Sequence, residues 1–319
     1  MIKNYIYLYN IYLKLRIKMI RELKLWNFTW IDAVDISIEE KKQIFKKYDF
    51  HELDIEATLE ENQFPRVNPS IDYIFIILLF PKYNSKSKWY LINEFNVFLW
   101  KNFLISFRDF NSSHIDKIFQ SYQKREIKDE EKINPWYVLY ETIQVMLEKI
   151  FKVISTNKKE FRQLENIIFE WASANNVKNI LIKKRNIIFL KHMFEPQVII
   201  LRFLENELNK FFKWEYELYF EDLEDKIDFI ITQIKLLQER IENIEDAIRN
   251  IVDLKLNKTM AILTIFSALM LPLTLITSFY GMNIPLPYQN NANFIYGLLI
   301  GCTIIMLIWL YYIKKKKII

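Results

Sequence analysis

The sequence predicts an N-terminal α/β domain followed by a long helical stalk that runs on into the first of two C-terminal membrane helices. Three observations carry this. From Thr259 to Ile313 there is no Asp, Glu, Lys, Arg or His, and that window holds two apolar runs of 20 residues, Met260–Phe279 and Phe294–Ile313. Each matches the ~20 residues with which a helix crosses about 30 Å of hydrocarbon. Strand-like segments cluster before Asp109, and helical periodicity takes over after it. No Pro or Gly interrupts the stretch from Trp214 to Leu271.

Residues 1–18 form an N-terminal extension. They mix Tyr, Ile and Leu with Lys14, Arg16 and Lys18 and lack an unbroken apolar core and a small-residue cleavage site, so they do not read as a signal peptide; Met19 is an alternative start. A cytoplasmic α/β domain is expected over 19–130. Leu23–Trp30 reads as a strand. Ser37-Ile38-Glu39-Glu40 is a capping-box pattern that opens a short helix ending near Tyr48. His51–Glu61 reads as a second helix, closed before Pro65. Tyr73–Phe80 is an unbroken apolar run and reads as a buried strand. Trp89–Trp100 and Phe103–Arg108 add two more, with turns at Pro81–Ser87 and Lys101-Asn102. Ile115–Gln123 begins the helical part.

Residues 131–213 are expected to form cytoplasmic helices, at Trp136–Thr156, Lys158–Ala174, Val177–Phe194 and Pro196–Phe212. Pro135 and Pro196 are placed at helix starts, where a missing amide is harmless. The stalk and first span occupy 214–280, with the span itself at about 259–280. Ile227, Ile230, Ile234, Leu237, Ile241, Ile244, Ile248 and Ile251 recur at spacings of three and four. That stripe fits a helix packed on its own domain; its continuity with the apolar run favours one helix serving as stalk and then span. Residues 281–293 form an uncharged loop, 294–313 the second span, and 314–319 a basic tail.

The first span has a stripe of its own. Asn257, Met260, Thr264, Ser267, Leu271, Thr274 and Ser278 again alternate by three and four. Hydroxyls in a membrane helix can bond the carbonyl four residues back or join helices; a weakly polar stripe along a whole span is also what a pore lining needs. Pro272 lacks the amide that would bond Ala268, which predicts a slight kink. Gly297 and Gly301 give the second span a small-residue face suited to close helix contact.

Charge sets the orientation and removes several functions. Lys255 and Lys258 precede the first span, Lys314, Lys315, Lys316 and Lys317 follow the second, and the loop between has no basic residue. Both termini are therefore expected on the cytoplasmic side of the cell membrane. The lysine run reads as an anchor on anionic lipid, with a basic ring at the inner mouth of a pore as its other role. Setting those four lysines aside leaves 40 basic and 39 acidic residues, a near-neutral soluble part that argues against nucleic-acid binding. The three glycines, Gly281, Gly297 and Gly301, all lie in the membrane part, so a phosphate-binding loop, a dinucleotide fingerprint and a nucleophile elbow are all missing. His51, His114 and His192 lack metal-ligand spacing, and Cys302 stands alone. No enzyme is expected.

Tyr280-Gly281-Met282-Asn283, placed just after the first of two C-terminal spans and followed by a lysine tail, resembles the CorA-type magnesium transporter family. Met270-Leu271-Pro272-Leu273-Thr274, Trp30-Ile31-Asp32, His51–Val67, Asn102-Phe103-Leu104-Ile105 and Tyr219-Phe220-Glu221-Asp222 resemble further family segments. The resemblance spans nearly the whole chain from Met19. It implies a funnel-shaped homopentamer that passes Mg2+, with Co2+ or Ni2+ as further ions, and with membrane lipids and its own copies as partners. Gly281, Met282 and Asn283 would form the selectivity ring. Asn257, Met260, Thr264, Ser267, Leu271 and Thr274 would line the pore, and Met260 and Leu263 would make its narrow apolar gate. Asp222 would belong to a cytoplasmic site where Mg2+ also regulates, together with the neighbouring stalk acids Asp225 and Asp228. Two departures stand out. Ile284–Asn293 carries no carboxylate, and the second acid of the regulatory site falls near Asn84, in a turn without any acid. The nearest rival is a ZntB-like zinc transporter on the same architecture. A membrane-anchored coiled-coil interaction protein is the rival from another class; the polar stripe and loop motif weigh against it.

Overall fold

A computed structural model describes residues 18–124, 133–170, 174–212, 217–288 and 290–315. It divides into two compact units, Met1–Asn243 and Ile244–Ile319. The N-terminal extension expected over 1–18 lies outside the described residues apart from Lys18.

Among the described residues the first unit holds six strands: β1 (Met19–Lys24), β2 (Thr29–Val34), β3 (Arg66–Pro69), β4 (Ile74–Asn84), β5 (Trp89–Leu99) and β6 (Phe103–Arg108). They form one mixed sheet in the order β1-β2-β6-β5-β4-β3. Only β2 and β6 run parallel, Trp30 opposite Leu104 and Asp32 opposite Ser106; the other neighbours are antiparallel. The single strand predicted over Leu23–Trp30 is instead a hairpin. Leu23 faces Trp30 across it, and Leu25 N–H donates to Phe28 O at 2.9 Å to close the turn. An apolar run does not reveal a reversal when the turn residues, Trp26 and Asn27, include an aromatic ring, here 64% exposed. The turn predicted at Pro81–Ser87 also shrinks, because β4 runs through Pro81 to Asn84 and the turn is Ser85–Lys88.

Helix α1 (Ile38–Phe45) carries the expected capping box: Glu40 N–H donates to Ser37 Oγ, and Ser37 N–H to the Glu40 carboxylate. Helix α2 (Glu52–Leu59) follows, with His51 Nδ1 accepting from Leu53 N–H at its start. These helices cover one sheet face. Phe45 meets Phe98 and Phe107, and Phe50, just before α2, stacks on Phe98 at 4.1 Å. Helix α3 (Ser113–Gln123) covers the other face, where Trp30 packs on Phe119 and Tyr122. It is held there by charge as well. Asp32, fully buried, accepts from Arg108 and Arg21 at 2.9 and 2.7 Å, and both arginines also reach Asp116 of α3. Burial alone would raise the Asp32 pKa; Arg108, then Arg21, holds it below the usual carboxylate range.

Three long helices complete the chain before the last span. Helix α4 (Pro135–Glu170) begins on the expected first-turn proline, but it is one helix where two were predicted. Asn157, at the predicted break, is buried and donates to Val153 O and Tyr90 Oη, so nothing there frees the backbone. Helix α5 (Ala174–Phe211) likewise joins the two helices predicted on either side of Glu195, with Pro196 inside it rather than at a start. Helix α6 (Glu217–Tyr280) is a single helix of 64 residues, as expected. Its stripe residues Ile227, Ile230, Ile234, Leu237 and Ile241 are buried within the first unit. Beside them Phe229 meets Phe151, and Arg240 reaches Glu165 of α4 at 2.7 Å. This part of the stripe therefore packs on the chain's own domain, while the helix also runs on into the apolar stretch.

The second unit consists of the rest of α6 and of α7 (Ala292–Lys315). Both helices are long and apolar enough to cross a membrane, and their apolar windows are unburied.

Candidate functional site

Along the apolar part of α6 the half-shielded residues are Ala261, Ile265, Ala268, Leu269, Pro272, Leu273, Ile276 and Tyr280. They share one face. Asn257, Met260, Thr264, Ser267, Leu271 and Thr274 are all exposed, Met260 at 62% and Leu271 at 69%. At 100° per residue their mean direction lies roughly 140° around the helix from the shielded face. Leu263, 58% exposed, flanks this stripe. The structure thus places every predicted pore residue on the unpartnered side of one helix.

The threonine hydroxyls of that stripe are oriented by the backbone. Thr264 Oγ1 donates to Met260 O and Thr274 Oγ1 to Met270 O, each at 2.8 Å. The single proton of each hydroxyl is committed to the helix, which leaves the oxygen as an acceptor. A surface of neutral acceptors suits a cation that keeps its water, because bound water presents hydrogens outward.

The G-M-N sequence terminates α6. Gly281 N–H donates to Thr277 O at 2.9 Å, and Met282 N–H to Phe279 O at 3.4 Å. A Cβ on Gly281 would stand 3.0 Å from Thr277 O, so a larger residue there would make the last helical turn give by a few tenths of an ångström. Met282 and Asn283 are exposed immediately beyond it. The last carbonyls of a helix carry partial negative charge, which favours a cation at this end. The loop then folds on itself: Tyr288 stacks on Phe294 at 4.8 Å, and Phe294 N–H donates to Asn291 at the start of α7. Pro285, Tyr288, Asn290, Asn291 and Asn293 line a cavity of about 670 Å³. At the inner end, Lys315 is exposed on α7; the Lys314 side chain and all of Lys316 and Lys317 lie outside the described residues.

In the first unit, the Asp222 carboxylate accepts from Tyr140 Oη at 3.0 Å and pairs with Lys226 one turn on. Tyr140 is buried among Tyr137 and Tyr219, and burial together with the Asp222 charge drives its pKa well above the usual tyrosine value. Asn84 points its Oδ1 back into its own turn, accepting from Lys86 and Ser87 N–H. Glu224 and Asp228 share Arg202 of α5, at 3.2 and 2.9 Å. Beside them the Glu205 carboxyl is pushed up to about 7, by burial first and then by Glu224, Glu221 and Glu217. Tyr140 and Glu205 escaped sequence reasoning, because their partners lie 82 and 19 residues away on other helices. Among the described residues, no group of three or more His, Cys, Asp or Glu side chains is arranged to hold a metal ion.

Comparison with known proteins agrees with this arrangement. The cobalt/magnesium transport protein CorA of Thermotoga maritima is 25% identical over 293 residues, covering 91% of this chain and 83% of the relative. The complete structure of the CorA magnesium transporter from Methanocaldococcus jannaschii superposes with a TM-score of 0.77 at 20% identity, over 92% of this chain and 91% of that one. The ZntB cytoplasmic domain from Vibrio parahaemolyticus is more distant, with a TM-score of 0.59 at 15% identity, over 72% and 90%. These structural likenesses show the fold: a mixed-sheet domain and a long helix leading to a second apolar helix. The sequence model described as CorA-like Mg2+ transporter protein matches residues 27–315, G-M-N loop and polar stripe included, and the chain belongs to that family.

Proposed function

We propose that this chain is a divalent-cation channel of the cell membrane that takes up Mg2+ through a homopentameric pore, with Co2+ and Ni2+ as further ions. As a member of the CorA-like family it is an ion transporter rather than an enzyme. One observation carries the reading: an exposed, uncharged stripe of amide, hydroxyl and thioether groups runs the length of the apolar part of α6 and ends on Gly281-Met282-Asn283. Magnesium sheds water reluctantly. Five Asn283 amides would hold it through its waters, so selection would rest on hydrated size and hydrogen-bond geometry. Met260 and Leu263 would narrow the inner part of the pore. A membrane potential that is negative inside would supply about 4.6 kcal/mol per divalent ion per 100 mV, so no fuel site is needed.

The remaining assignments follow from the same reading. The soluble domain over 19–130, the helices over 131–213 and both termini would be cytoplasmic, with 281–293 outside. Lys314–Lys317 would anchor the tail on anionic lipid and ring the inner mouth. Asp222 would offer a weak regulatory Mg2+ site, in competition with Lys226 and Tyr140. The test is Mg2+ uptake into proteoliposomes holding the purified protein, with Co2+ and Zn2+ as competitors. Potential-driven Mg2+ influx is expected. Zn2+ transport without Mg2+ transport would replace this reading with the zinc one, and no flux of any divalent ion would overturn it.

A further inference from the structure

Lys41 of α1 stands between two sets of acceptors. The first is the end of α2, which has Glu52 and Asp54 in its first turn and no basic residue in its last. The last carbonyls of a helix lack partners inside it and carry partial negative charge. Lys41 supplies the missing cation: its Nζ donates to Thr58 O at 2.7 Å, and Thr58 is fully buried. Beyond this clip, residues 60–63 form a short strap with Asn62 in the left-handed region at φ 65°. Gln63 N–H ties the strap to Glu94 Oε1 at 2.8 Å, and Arg66 donates to Gln63 Oε1 at 2.7 Å.

The second set lies on the sheet face that α1 covers. Lys41 precedes Phe45 by one helical turn, and Phe45 packs on Phe98 and Phe107. Asn96 pairs with Phe107 and Phe95 with Arg108, so Phe98, Asn96 and Phe107 share one face, and Glu94 and Asp109 stand side by side in its next row. Asn96 is 4% exposed, and its Oδ1 is buried with no hydrogen-bond partner. An orphaned buried acceptor is costly and marks a place for a donor. Among the described residues neither Glu94 nor Asp109 has an ion-pair partner. Burial pulls the Lys41 pKa below the usual lysine value, and the charges of Glu94, Asp109 and Glu61 oppose it. Asp109 is exposed at the rim, yet the protein around its carboxyl, and then Glu94, push it up to about 6.

We propose that Lys41 is a proton-controlled latch, which clips α2 at Thr58 O while Asp109 is protonated and swings to Glu94, Asp109 and Asn96 Oδ1 when Asp109 ionises. An ammonium has three donors, enough to meet all three groups. The direction follows from linkage. In the clipped position Asp109 faces Glu94 without a paired cation and keeps its proton up to about pH 6. In the swung position the lysine favours the carboxylate. Falling pH therefore clips the end of α2 and rising pH releases it. Each unit by which the two positions separate the Asp109 pKa shifts their ratio about tenfold. The charged groups facing this switch are Glu94 of β5, Lys82 of β4, Lys41 of α1 and Glu61 of the strap, with Asp35 beside them after β2, its N–H donating to Arg108 O at 2.8 Å. The latch lies wholly within the first unit, so it stands or falls independently of ion transport.

The test is hydrogen exchange of the full-length protein in detergent, read by mass spectrometry on peptides covering residues 56–63. Exchange is compared at about pH 5 and about pH 7.5, with labelling times scaled to the chemical rate at each pH. Protection of this segment should be about tenfold lower at the higher pH, while peptides from β4 stay unchanged. Asp109→Asn is uncharged at both pH values and should keep the high protection throughout. Lys41→Met removes the clip and should show low protection at both. Circular dichroism checks that each variant is folded, and Asp109→Asn, at an exposed position, decides by itself where Lys41→Met does not fold. Protection independent of pH in the wild type, or an unchanged pH response in folded Asp109→Asn or Lys41→Met, would overturn the proposal.

Discussion

Asn283→Ala removes an exposed amide at the end of α6 and leaves the helix and its closing hydrogen bonds in place. Uptake of Mg2+ should be abolished while native mass measurement still finds the assembled protein. Normal uptake by this variant would remove Asn283 from the selectivity role. Glu205 gives a second prediction, of a different kind. Its carboxyl titrates at about 7 in the folded chain, against ~4.3 in an unfolded one. A raised acid favours folding while it is protonated. Its contribution is therefore complete below about pH 4.3 and lost as pH rises through about 7. The melting temperature of the wild type should fall relative to Glu205→Gln across that window. Equal pH profiles for the two proteins would show that Glu205 titrates normally.

Helix α5 shows how an element can hold together across a residue that breaks helices. Pro196 has no amide to give to His192 O, and the next residue fastens the helix to the sheet instead. Gln197 is 2% exposed; its Oε1 accepts from Leu79 N–H at 2.9 Å, and its Nε2 donates to Leu79 O and to Met193 O, each at 3.0 Å. Leu79 lies in β4 just past Ile77, where pairing with β3 stops. The side-chain amide thus stands in for the missing strand and ties α5 to the sheet. Gln197→Leu would leave a buried N–H and C=O unpaired and should lower stability by ~2–4 kcal/mol in denaturant unfolding of the full chain. A loss below the ordinary surface-mutation range of about 0.5 kcal/mol would mean that water or a shifted helix satisfies Leu79 instead. This contact also marks the limit of the sequence. A proline reads locally as a helix start, and only a partner 118 residues away shows that the helix continues. The same limit hid the Asp32 network, whose partners come from other segments; the Leu23–Trp30 hairpin was hidden by a turn that carries the exposed Trp26 ring. What could be read had a local cause: the Ser37 cap, the unbroken run of α6, and the polar stripe, which helical spacing alone places on one side.

At the scale of the whole molecule, the Asp222 environment bears on how internal Mg2+ would act on the assembly. Ions that bind only a closed ring stabilise it by mass action, and saturating several sites contributes a few kcal/mol. A strong bridging site needs carboxylates with free oxygens on both sides. Here Asp222 already meets Tyr140 and Lys226, and Asn84 uses its oxygen to cap its own turn. An ion at Asp222 must displace an ammonium and would gain no second carboxylate from the Pro81–Lys88 turn. Raising Mg2+ from micromolar to about 10 mM should therefore protect the Glu217–Asp228 segment from proteolysis only weakly. Asp222→Ala should reduce that protection further and leave the channel more open at high internal Mg2+. If Asp222→Ala matches the wild type in both proteolysis and flux, regulation lies elsewhere, and Glu224, Asp225 and Asp228 become the residues to vary. Strong protection that disappears in Asp222→Ala would instead mean that Mg2+ displaces Lys226 readily.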